Sequence, residues 1–303
     1  MKLAVVAHAG KTFGDGLLGL RRALEEAGVD DPLWYEVPKS RKAPKCVERA
    51  LEEGAELVLA WGGDGTVQKC IHVLAGGDVP LAIAPAGTAN LFATHLEIPQ
   101  DIDAAVEIAL RGARRTLDVG RINGERFAVM AGAGFDAEMM SEADGGLKDR
   151  VGRVAYLWTG AKQLRATPVD TKIKVDGTTW FDGSASCVLV GNVGGVFGGI
   201  ELFDDAHPDD GMLELGVVTA EGLSEWVRTL TRTALGSAAK SPFVQVTRAK
   251  QIDVRYAEKV LYELDGGARD EVKRLKIEVE PGAITVCVPT TDVEHPEPTS
   301  DCT

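Results

Sequence analysis

At 303 residues, with 45% hydrophobic and 26% charged side chains, the chain has the composition of a globular protein able to hold two ordinary domains. Its formal net charge of −13 argues against nucleic acid as a partner, because a phosphate backbone calls for a basic face. No apolar run approaches the roughly 20 residues of a membrane span, the N-terminal apolar stretch reads as a strand rather than a signal peptide, and five cysteines without paired or metal-type spacing predict a reduced, cytoplasmic protein.

Strand-length apolar runs alternate with helical periodicity through the first 110 or so residues. Strands are predicted at 2–8, 33–37, 56–61 and 81–84, and helices at 16–27, 44–53, 66–75 and 101–111, the last opening on Asp101 as an N-cap. This alternation predicts an α/β domain over residues 1–115, a parallel sheet with helices on both faces. Beyond it the texture changes. Strands are predicted at 116–122, 126–131, 169–176, 178–182, 185–191, 212–219, 244–248, 251–256, 259–264, 274–280 and 283–289, with Asp176-Gly177 as a hairpin signal. So many strands predict a mostly antiparallel β-sandwich domain over 116–289. Two helical patterns interrupt it, at 222–235 and 147–165. The second sets Lys148, Arg150, Arg153, Lys162 and Arg165 against one acid, Asp149. It reads either as a contact for lipid headgroups or, preferably, as a core-packed helix with a solvated charged face. Residues 290–303 form an acidic, proline-containing tail that is expected to be disordered.

Two loops carry the chemistry. The run Ala55 to Trp61 ends in Gly62-Gly63-Asp64-Gly65-Thr66, after which Val67, Cys70, Ile71 and Leu74 recur at helical spacing. Strand, glycine loop and helix N-terminus together offer bare amides to a phosphate, although a tight turn alone would also need glycine. Pro80 to Ala84 is a second short strand, followed by Pro85-Ala86-Gly87-Thr88-Ala89-Asn90. Adjacent parallel strands deliver such loops to one sheet edge, where they would face a single phosphate chain.

The two loops in this order resemble the diacylglycerol kinase catalytic family, which includes sphingosine and ceramide kinases and bacterial lipid kinases. Leu117-Asp118-Val119-Gly120, Pro208-Asp209-Asp210-Gly211, Leu264-Asp265-Gly266-Gly267 and Pro281 to Val286 extend the likeness to roughly residues 1–290. The resemblance implies an ATP-dependent lipid kinase with Mg2+ that acts on a lipid hydroxyl, with diacylglycerol the default acceptor and phosphatidate the product. It assigns nucleotide binding to Gly62, Gly63, Asp64, Gly65, Thr66, Gly87, Thr88 and Asn90, with Asn90 as a side-chain donor. It makes Asp265 the base that takes the hydroxyl proton, and it places Asp64 and Asp118 in a water-and-metal network. In some bacterial members a structural Mg2+ sits at the loop that Asp210 matches, with carbonyls from His207 and Met212. The expected partner is a lipid met at the inner membrane surface by peripheral contact, with a homodimer left open. The acceptor groove is expected in the second domain, floored by Val193, Val196, Phe197 and Phe203.

The chain departs from the family pattern at several places. Ala7-His8 stands where Asn-Pro is usual, Leu91 and Thr94 where Asp and Arg are usual, and Gly267 where Glu often follows Asp-Gly. His8 and Arg269 are candidate substitutes. Two alternatives follow from these facts. NAD kinase shares the first loop, but its second segment differs from Pro85 to Phe92. A nucleotide- or lipid-binding protein without catalysis would explain the departures, though not the retention of Asp64, Asp118 and Asp265.

Overall fold

The computed structural model describes residues 1–134, 168–196, 200–201, 203, 206–220 and 242–290. The N-terminal half runs β1 (Leu3–His8), α1 (Gly16–Glu26), β2 (Leu33–Val37), a short 3-10 turn (Ser40–Lys42), α2 (Ala43–Glu52), β3 (Leu57–Gly62), α3 (Asp64–Leu74), β4 (Leu81–Pro85), α4 (Leu91–His95) and α5 (Ile102–Arg111). β2, β1, β3 and β4 pair in that order and in parallel, so the expected alternating sheet is present. β3 and β4 are buried along their whole length, as strands covered on both faces must be. The Asp101 carboxylate accepts from the Ala104 amide at 2.8 Å and caps α5 as the sequence predicts.

The C-terminal half holds β5 (Ala113–Ile122), β6 (Glu125–Phe127), β7 (Met130–Ala133), β8 (Val169–Val175), β9 (Thr178–Ala185), β10 (Cys187–Gly191), β11 (Gly195–Val196), β12 (Ile200–Glu201), β13 (Leu213–Val218), β14 (Val244–Ala249), β15 (Gln251–Leu264) and β16 (Gly267–Val288). Its pairings are antiparallel, and its two faces bury a second apolar core built on Phe127, Val188, Leu215, Val254 and Ile277. Two pairs of predicted strands are continuous. Residues 251–264 form one strand with bulges, and 267–288 another with a register shift between Glu280 and Ile284. β16 also joins the two halves, pairing antiparallel with β15 and β5, and parallel with β4 through Val286 and Leu81.

Three hairpins turn on two residues that both have positive φ: Asn123-Gly124, Asp176-Gly177 and Asp265-Gly266. This is the turn whose twist matches that of the flanking strands, and it selects Asn or Asp followed by Gly. Cys70 and Cys187 are buried thiols. The helices predicted at 147–165 and 222–235, Phe197 and the tail beyond Thr290 lie outside the described residues.

Candidate active site

β3 and β4 pair as far as Gly62 and Pro85, so their following loops emerge side by side. The loops touch through backbone. A Cβ on Gly87 would lie 2.5 Å from the Gly63 Cα and 2.6 Å from the Asn90 Oδ1, and one on Gly62 would lie 2.6 Å from the Thr66 Oγ1. Gly63 caps α3, leaving the first-turn amides of Asp64 and Gly65 without intrahelical acceptors at the positive end of the helix. Asp64 Oδ1 accepts from the Phe92 amide at 3.2 Å and ties the first loop to the start of α4.

Some groups expected to meet a nucleotide are already used. The Thr66 amide donates to the Gly63 carbonyl, and the Thr66 hydroxyl bonds the Ser40 hydroxyl at 2.9 Å. The Gly87 amide donates to Asn90 Oδ1, while Asn90 Nδ2 returns a bond to the Gly87 carbonyl, each at 2.9 Å. Asn90 is thus a clamp that holds the loop's shape from a left-handed backbone conformation (φ 49°). Gln100 Nε2 reaches the same carbonyl at 3.3 Å.

Asp265 stands in the β15–β16 turn, and its carboxylate is buried in a nest of main-chain amides. Oδ1 accepts from Val129 at 2.9 Å and Met130 at 3.0 Å, and Oδ2 accepts from Ala128 at 2.8 Å. Each carboxylate oxygen has two lone pairs, so among the described residues Oδ2 keeps one acceptor position for a proton. Burial pushes this acid up to about 6. The three amides pull it back, and the Asp64 charge adds a smaller upward push. The first glycine loop therefore lies within electrostatic reach of the Asp265 turn. Behind the turn, the Arg269 guanidinium donates to the Gly267 carbonyl at 2.8 Å and binds Glu125 through two bonds of 2.9 Å. Lys69 of α3 meets the same Glu125 at 3.0 Å. Arg269 therefore braces the hairpin, while His8 turns its Nδ1 back to accept from the Gly10 amide.

Asp118, expected in a water-and-metal network, is engaged by main-chain groups. Its Oδ2 accepts from the Gly211 amide at 2.6 Å, its Oδ1 from the Gly282 amide at 2.7 Å, and its own amide donates to the Pro208 carbonyl. It staples two turns. In the loop at 207–212, where the resemblance implies a structural Mg2+, the Asp210 carboxylate is likewise engaged by protein groups. Asp210 pairs with Arg248 and accepts from the Met212 amide, so a guanidinium already neutralises the one carboxylate the ion would need. His207 is exposed, and the part expected of it and of Met212 is played by main-chain carbonyls rather than side chains. Val193 and Phe203 are buried core, with Phe203 seated on Gly191 and Gly216, so they do not floor an open groove.

The nest at Ala128, Val129 and Met130 has no signature in the sequence, since nothing local marks three amides that lie some 135 residues from their acceptor. Glu263 does leave a signal, unused among the expected site residues: an acid within Val260-Leu261-Tyr262-Glu263-Leu264 interrupts an otherwise apolar strand.

Residues 2–122 match the family model described as diacylglycerol kinase catalytic domain, and residues 129–288 match the YegS C-terminal NAD kinase beta sandwich-like domain. A diacylglycerol kinase of Bacillus subtilis is 33% identical over 258 residues, 84% of each chain. The chain belongs to the diacylglycerol kinase catalytic family. A solved putative diacylglycerol kinase from Bacillus anthracis superposes with a TM-score of 0.77 at 26% identity, covering 95% of this chain and 97% of that one. An NAD kinase from Archaeoglobus fulgidus, solved with ATP, shares the fold at a TM-score of 0.56 and 13% identity, covering 95% and 93%. Membership of the diacylglycerol kinase family makes this protein a lipid kinase of an ATP-using family. No helix among the described residues is long and apolar enough to cross a membrane.

Proposed function

We propose that the protein transfers the γ-phosphate of Mg2+–ATP to the free hydroxyl of diacylglycerol, giving phosphatidate and ADP. The observation that carries this reading is the Asp265 carboxylate, held by three amides with one position of Oδ2 left open among the described residues and within electrostatic reach of Asp64. In the reaction Oδ2 takes the hydroxyl proton as that oxygen bonds to the γ-phosphorus. The bond from phosphorus to the β–γ bridging oxygen breaks, and ADP leaves with its electron pair. Little covalent chemistry falls to the protein, so positioning and charge stabilisation dominate. The Asp64 and Gly65 amides suit the nucleotide's phosphates. Asp64 Oδ2 suits the Mg2+ that arrives with them. The clamped Gly87–Asn90 loop, carrying Thr88, closes the second side. The acceptor is met at the cytoplasmic membrane surface, by peripheral contact.

Transfer of labelled γ-phosphate to detergent-dispersed diacylglycerol, monoacylglycerol, ceramide, sphingosine and NAD tests this, with Asp265→Asn as control. Label in diacylglycerol that falls at least about 100-fold in the variant, with ATP binding retained, is the expected result. Label in NAD would move the activity to the sister class. No label anywhere would leave a binding protein.

A further inference from the structure

Four acids are buried among the described residues, and three have partners. Asp118 and Asp265 accept from main-chain amides, and Glu214 pairs with Arg248. Glu263 is the fourth. It is 7% exposed and makes no hydrogen bond or ion pair among the described residues.

Its position is specific. Glu263 lies on β15 two residues before Asp265, with Leu264 and Val260 packed into the second core on the opposite face of the strand. Across the ladder it faces Gly132 of β7 on one side and Ala268 of β16 on the other. Gly132 presents no side chain against it. The titratable groups that reach it are Asp265 and the Cys187 thiol of β10, which burial itself pushes up. Burial, with the Asp265 charge second, pushes the Glu263 carboxyl up to about 7. It therefore keeps its proton into the neutral range and can donate a hydrogen bond.

Burial costs this carboxyl part of its hydration with no protein partner among the described residues to offset it, and leucine would fill the same volume without that cost. Retaining such a group beside the candidate base is the pattern of a site that trades stability for function. We propose that Glu263 belongs to the acceptor side of this site and donates the hydrogen bond that recognises a second oxygen, one carbon away from the reacting hydroxyl. The inference rests on Asp265 as base. Residues two apart on a strand are roughly 7 Å apart at Cα, and glutamate's extra methylene lets the two carboxyls converge on neighbouring oxygens of one backbone. The acceptor class is then a glycerol-type lipid with vicinal oxygens, as against a simple long-chain alcohol.

The test compares wild type, Glu263→Leu and Glu263→Gln on dioctanoylglycerol and on a long-chain alcohol, below neutral pH, with nucleotide-free binding of each lipid and melting temperature measured alongside. Glu263→Leu is expected to lose at least about ten-fold in kcat/KM and in affinity for the diglyceride, equivalent to about 1.4 kcal/mol. The loss on the alcohol should stay below about two-fold, and ATP KM should be unchanged. Glu263→Gln, which can still donate, should keep most of the diglyceride activity. The melting temperature of Glu263→Leu should hold or rise. Equal losses on both lipids, no loss on either, or a lower melting temperature would overturn the proposal. If wild type labels neither lipid, the kinase reading fails separately, and diglyceride binding unaltered by Glu263→Leu would still overturn the recognition role of Glu263.

Discussion

Gly63 and Gly87 meet at backbone, with a Cβ on Gly87 placed 2.5 Å from the Gly63 Cα. Neither partner is a flexible side-chain end, so alanine at 87 must push the two loops apart. Gly87→Ala should lower unfolding free energy by about 1–3 kcal/mol and weaken ATP binding at least about ten-fold. Gly65 is the control, because its nearest neighbour would be the Ser40 Oγ at 3.8 Å. Urea unfolding and nucleotide titration of Gly65→Ala should show a folded protein of near-wild-type stability.

Asp265 acts as a base only when ionised, so kcat/KM should fall as pH drops through about 6, the value to which burial raises this acid. Glu263, raised to about 7, makes a coupled pair with it, so the profile should show two apparent ionisations. The lower belongs to Asp265, because three amides favour its anion. Glu263→Gln should abolish the upper step and leave the limb near 6. Both acids hold their proton more tightly folded than unfolded. The sign follows: their contribution to stability declines as pH rises from the unfolded carboxyl range towards 7. The melting advantage of Glu263→Leu should therefore grow over that window and then level off.

The N-terminal sheet, its helices, the Asp101 cap and the Asp176-Gly177 hairpin were legible because periodicity, caps and turn residues are local signals. The two glycine loops were legible for the same reason. What the sequence withheld is long-range. Asn90 as a clamp, Asp118 as a staple and the amide nest for Asp265 depend on which main-chain groups the fold delivers to a side chain. Glu263 stands out in the sequence as an acid in an apolar strand, but its burial does not. Alternation permits an acid on a strand's outer face, and only the covering structure makes that face buried.

Asp118 provides a direct contrast with Asp265. Its two oxygens satisfy the Gly211 and Gly282 amides, and it is 3% exposed. Asp118→Ala leaves both donors unpaired, which should cost about 2–4 kcal/mol in urea unfolding. Turnover per folded molecule should change less than about three-fold. A loss above about 100-fold would return Asp118 to the chemistry.

Glu125 links α3 to the hairpin that carries Asp265, by way of Lys69 on one side and Arg269 on the other. Hydrogen bonding from Arg269, then from Lys69, holds its carboxyl down at about 2 against partial burial. A depressed carboxyl stabilises above its unfolded value and loses that contribution as pH falls. The stability gap between wild type and Glu125→Gln should therefore be full above pH 4.5, the ordinary value, and close as pH approaches 2. Glu125 is a third exposed, so the full gap should be only about 1 kcal/mol and should shrink with added salt. The effect on turnover decides what sets the base's aim. If the brace does, Glu125→Ala should lower kcat by about 3- to 10-fold with little change in ATP affinity. An unchanged kcat would mean that the three amides at Ala128, Val129 and Met130 hold Asp265 in place without help from Arg269.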